Sequence, residues 1–76
     1  MSFSYDRLWK LSIDKKINKT QLRDIAGLSN TTLSKLSKNE TVSMDSLARI
    51  CRTLNCDISD IVEYIDEEVI VNGEKI

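Results

Sequence analysis

Seventy-six residues, 41% hydrophobic and 30% charged with a formal net charge of −1, describe one small globular domain. This composition excludes a disordered chain, and no apolar run approaches the ~20 residues of a membrane span. The N-terminus has neither the basic nor the apolar block of a secretory signal, so the expectation is a cytoplasmic protein.

The net charge conceals an asymmetry. Residues 1–56 hold ten Lys/Arg and five Asp/Glu (+5), whereas residues 57–76 hold one Lys and seven Asp/Glu (−6). A basic body with an acidic end suits a polyanionic partner; the competing reading is a chance surface distribution followed by an acidic tail.

The first helix is predicted from Tyr5 to Lys16, with Ser4 as its N-cap. Leu8, Trp9, Ser12 and Ile13 share one face, and Trp9, the largest apolar group, is assigned to the core. Asn18 and Gln21 have the spacing of a capping box at the start of a second helix. Its inner face is Leu22, Ile25 and Ala26, and it ends at Gly27, where the chain turns sharply. Leu28 plugs the turn and Ser29 caps a third helix rooted by Leu33 and Leu36. Ser43 caps a fourth, with Asp45 in its first turn and a stripe of Met44, Leu47, Ala48, Cys51 and Leu54. Asp57 caps a fifth helix with the stripe Ile58, Ile61, Val62 and Ile65. The expected fold is a compact all-α, five-helix domain over residues 1–65, followed by an acidic tail over 66–76. In that tail Val69-Ile70-Val71 and the turn signal Asn72-Gly73 read as an extended or β segment. The segment Ser2–Ser4, a partner chain or a crystal neighbour are the candidates to hold it, and Val69-Ile70-Val71 is the candidate oligomerisation segment.

Catalytic and cofactor chemistry has little to stand on. The chain has no His, the commonest general base, and its only glycines, Gly27 and Gly73, make no phosphate loop. The carboxylates of residues 57–76 lack metal-loop spacing, and Cys51 and Cys56 alone cannot close a four-ligand zinc site. Both thiols are therefore assigned to buried structural positions. No catalytic residue, metal, cofactor or small-molecule ligand is implied. Asn18, Asn30 and Asn39 each begin an Asn-x-Thr sequence, which helix starts and a loop explain better than glycosylation.

What remains is the pair of helices over residues 18–38. Neither is stable alone, and Leu22, Ala26, Leu28, Leu33 and Leu36 lock them together. The outer face of the third helix is filled with short polar groups that are mediocre helix formers, a poor choice for a merely solvated surface. Asn30, Thr31 and Thr32 offer donors and acceptors for base edges, and Lys35 can reach a guanine edge or a phosphate. Lys19 opens the second helix, where free N–H groups suit an anion.

The sequence Leu22…Gly27-Leu28-Ser29-x-x-Thr32-Leu33-Ser34-x-Leu36, with the later Leu47…Ile50-Cys51…Leu54-Asn55-Cys56-Asp57-Ile58, resembles the lambda-repressor-like helix-turn-helix domain. It is most similar to the compact Cro/XRE-type regulators, over about residues 3–65. The resemblance implies a five-helix DNA-binding fold whose third helix reads double-stranded DNA in the major groove, often as a homodimer. Carried onto this chain, it implies base contacts from Asn30, Thr31, Thr32 and Lys35. It implies phosphate contacts from Lys19, Lys38 and Asn39 in turn. Two departures stand out. Arg23 replaces a customary small Ala and is expected to extend outward to a phosphate; Ser37-Lys38-Asn39 replaces a Glu-x-Gly, with Asn39 expected in the left-handed conformation. The leading expectation is a sequence-specific transcriptional regulator, most simply a repressor. The alternatives are a protein-interaction module on the same fold and an antitoxin or phage-immunity repressor.

Overall fold

The computed structural model describes residues 2–65, 70–71 and 73–75. Strand β1 (Ser2–Ser4) leads into helices α1 (Asp6–Asp14), α2 (Lys19–Ala26), α3 (Asn30–Ser37) and α4 (Met44–Leu54). A single 3-10 turn (Ile58–Asp60) follows, then strands β2 (Glu63–Ile65), β3 (Ile70–Val71) and β4 (Glu74–Lys75).

Local chemistry places the helix ends. Asn18 Oδ1 accepts from the Gln21 amide at 2.8 Å while Gln21 Oε1 accepts from the Asn18 amide at 2.9 Å, closing the capping box. Ser29 and Ser43 cap α3 and α4 without the reciprocal bond, each accepting from the amide three residues on at 3.1 Å. At α1, Tyr5 occupies the N-cap without a side-chain bond, and Ser4 Oγ instead accepts from the Asp6 amide at 3.2 Å. Each helix is followed by a residue with positive φ, in order Lys16 (59°), Gly27 (70°), Asn39 (57°) and Asn55 (51°). The left-handed turn returns an amide to a free carbonyl of the last helical turn, as in Leu28 N–H to Arg23 O at 2.9 Å and Glu40 N–H to Lys35 O at 2.9 Å.

The fifth helix is absent, so the fold is mostly helical rather than all-α. Asp57 does cap a turn, accepting from Ile58 N–H at 2.8 Å, but that turn stops after three residues. Glu63–Ile65 then pairs antiparallel with Ser2–Ser4 in the register Ser2↔Ile65, Phe3↔Tyr64, Ser4↔Glu63. Phe3 and Tyr64 stack edge to face with ring centroids 5.7 Å apart. Aromatic Tyr64 and β-branched Ile65 favour this extended state, and pairing with β1 satisfies the backbone that a helix would have satisfied internally. Ser2–Ser4 thus holds the segment before the tail. Within the tail, Ile70–Val71 pairs with Glu74–Lys75 around Gly73, as the turn signal suggested; Val69 and Asn72 lie outside the described residues.

The core is Tyr5, Leu8, Leu22, Leu36, Leu47, Ile50, Leu54 and Ile61, with Leu11, Ile17, Leu28, Val42, Cys51 and Cys56 packed around it. Several stripe assignments need correction. Ile13, Ile25 and Met44 are 74%, 63% and 65% exposed, Ala48 is also exposed, and fully buried Ile50 belongs to the α4 stripe instead. Trp9 is half-buried at the core's edge rather than within it. Both cysteines are free and half-buried rather than buried. Desolvation, reinforced by neighbouring Cys51 and by Asp60, raises the Cys56 thiol from 9.0 to about 11. Among the described residues, no helix is long and apolar enough to cross a membrane.

Candidate nucleic-acid interface

The turn between α2 and α3 is built on Gly27. At φ 70° a side chain would be strained, and a Cβ there would sit 3.3 Å from Arg49 Nη1. Arg49 reaches over the turn from α4, donating to Gly27 O at 3.4 Å and to Asp45 Oδ2 at 3.0 Å. Beyond the turn, Leu36 is fully buried and Leu33 half-buried, so α3 is anchored along one side. Its other side carries exposed Asn30, Thr31, Ser34, Lys35 and Ser37.

The residues assigned to bases fall in the first turn and a half of α3. Asn30, Thr31 and Lys35 are exposed. Thr32 is half-buried; its amide donates to Ser29 Oγ and its hydroxyl accepts from it, both at 3.1 Å, so it also helps close the cap. Asn30 is tied across the turn, its Oδ1 accepting from Arg23 Nη1 at 2.6 Å.

The residues assigned to phosphates have differing surroundings. The Lys19 ammonium lies 4.4 Å above the Trp9 ring and 3.5 Å from Ser37 Oγ, which sets it between the N-terminus of α2 and the C-terminus of α3. Lys38 is exposed at the end of α3. Asn39 adopts the expected left-handed conformation, its amide donating to Leu36 O at 3.3 Å and its Oδ1 accepting from the Tyr5 amide at 3.1 Å. Arg23 folds back instead of extending freely: Nε and Nη2 both lie 3.0 Å from Asp24 Oδ1. Among the described residues, Arg7, Arg23 and Arg49 each have a carboxylate partner, whereas Lys19, Lys35 and Lys38 have none. Lys35 thus stands without an ion-pair partner on the polar face of α3, and Lys19 and Lys38 do so at its C-terminal end.

Trp9, Ser37 and Tyr5 support this surface without having been legible as parts of it. The Tyr5 hydroxyl donates to Glu40 O at 2.8 Å while its amide holds Asn39, so the start of α1 fixes the loop after α3. Burial raises the Tyr5 phenol above 10, against a hydrogen bond from the Val42 backbone that lowers it. These links join residues some 35 positions apart, beyond any spacing rule.

Comparison with known proteins agrees with this fold. The family model of the Cro/C1-type HTH DNA-binding domain matches residues 7–67. Among solved structures, the chain is similar to the transcriptional regulator VanUg, at 48% identity and a TM-score of 0.84 over 87% of this chain and 88% of that one. No curated protein matches at a significant level.

Proposed function

The chain belongs to the Cro/C1-type helix-turn-helix family of DNA-binding regulators, not enzymes, and on that premise we propose that it is a repressor reading a specific duplex site through α3. The observation that carries this reading is the exposed polar head of α3 on a helix whose opposite side is locked by Leu36. A helix so anchored enters the major groove, about 12 Å wide, without rearrangement, and presents Asn30, Thr31, Thr32 and Lys35 to base edges. Lys19 and Lys38 lie at its C-terminal end as phosphate ligands, joined by Asn39 and by the remaining N–H groups of Arg23. The Trp9 ring and Ser37 hydroxyl restrict the Lys19 ammonium before DNA arrives, which lowers the entropy lost on contact.

A single module covers only about 600–1,000 Å2 of DNA interface, so two copies on a palindromic operator would account for tight binding. Repression then follows from occupancy of a site that polymerase needs. The test is selection from a random duplex pool followed by titration at fixed salt. A consensus bound at least ~10³-fold more tightly than scrambled DNA is expected. Equal affinity for both would contradict sequence-specific readout and favour the interaction-module reading.

A further inference from the structure

Arg23 and Asn30 meet across the turn, and their contact restricts what the head of α3 can offer a base. A guanidinium carries donors only, so the amide atom facing Arg23 Nη1 at 2.6 Å has to be the Asn30 carbonyl oxygen. Arg23 is itself held by Asp24, with its side chain 29% exposed. Asn30 is the exposed first residue of α3.

An asparagine reads adenine by donating to N7 and accepting from the N6 amino group. Guanine instead presents two acceptors, N7 and O6, on the same edge. We infer that Arg23 sets the base preference of Asn30: with one lone pair of its carbonyl oxygen taken and the guanidinium seated beside it, Asn30 turns its amino donors to the base and selects guanine over adenine. The positive charge of the guanidinium beside Asn30 also opposes the amino hydrogens of adenine. Arg23 is thus a positioning residue that acts through Asn30. The inference rests on α3 being the recognition helix.

The experiment measures base preferences on a random duplex pool for the whole chain and its Asn30→Ala, Arg23→Met and Arg23→Lys variants, with folding checked by thermal melting. The position whose preference Asn30→Ala erases is the one Asn30 reads. There the wild type and Arg23→Lys should prefer guanine by about tenfold, and Arg23→Met, which keeps the stem but no donor, should move toward adenine by a similar factor. Uniform weakening by Arg23→Met with the preference unchanged would overturn the inference. If Asn30→Ala alters no position, base reading by Asn30 fails, and the inference with it. A second arm uses only the wild type, with purine (N7 but no amino group) in place of adenine at that position. Purine should bind at least as tightly as adenine; adenine binding about tenfold tighter would show a free carbonyl and contradict the proposal.

Discussion

Helices α3 and α4 begin and end alike. Each starts at a serine that accepts from the third amide and shares a second hydrogen bond with the hydroxyl beside it, and each is followed by a left-handed asparagine. Along their lengths they diverge. Helix α4 buries Leu47, Ile50 and Leu54 and steadies its outer side with an Asp45–Arg49 ion pair four residues apart. Helix α3 fully buries Leu36 alone and turns amide, hydroxyl and ammonium groups outward. Capping says where each helix lies; the chemistry of the outer face says what it is kept for.

Substitutions should separate these two uses. The largest effect is expected from Ile50→Ala in α4, a loss of about 2–5 kcal/mol in unfolding free energy by denaturant titration. Thr31→Ala and Lys35→Ala in α3 should leave stability within about 0.5 kcal/mol. Their cost, about 1–3 kcal/mol, should fall on the cognate DNA site and spare random DNA, as read by titration at matched salt. Equal losses on both sequences would remove the base-reading role.

The shared ends predict a shared response. Ser29→Ala and Ser43→Ala should each lower stability by about 1 kcal/mol in thermal or denaturant unfolding. Only the first should also weaken DNA binding, because its cap supports the face that reads. Lys38→Ala is expected to act more gently, weakening all sequences alike and lowering the slope of log K against log salt by about one. An unchanged slope would take Lys38 off the phosphate surface. The smallest effect is with pH. Folding raises both the Cys56 thiol, to about 11, and the Tyr5 phenol, so each favours the folded state fully below its unfolded pKa. Stability should stay nearly level from pH 6 to 8 on their account and decline as pH rises from about 9. A decline between pH 6 and 8 would point to other groups.

The same contrast explains how far the sequence could be read. Caps at Asn18, Ser29, Ser43 and Asp57, and the Gly27 turn, were legible because each bond spans at most a few residues. The stripe Ile58, Ile61, Val62, Ile65 has helical spacing, yet its strand partner is Ser2–Ser4, at the other end of the chain. No local pattern reports such pairing. Ile13, Ile25 and Met44 lie near the right faces, but rotation of a helix against the core is settled by packing, which exposed them and buried Ile50. Within the candidate site, Arg23 stood out as a departure from the family pattern. Its partner Asn30 became visible only once the turn had brought α2 and α3 together.

The central claim is that the head of α3, and not the face of α4 or the β1–β2 sheet, meets DNA. Amide chemical-shift mapping of the whole chain, titrated with its selected duplex, tests it most directly. The largest changes are expected over residues 29–38 and at Lys19, with little change over residues 44–54. Shifts concentrated on α4 or the β1–β2 sheet, with residues 29–38 unmoved, would contradict it.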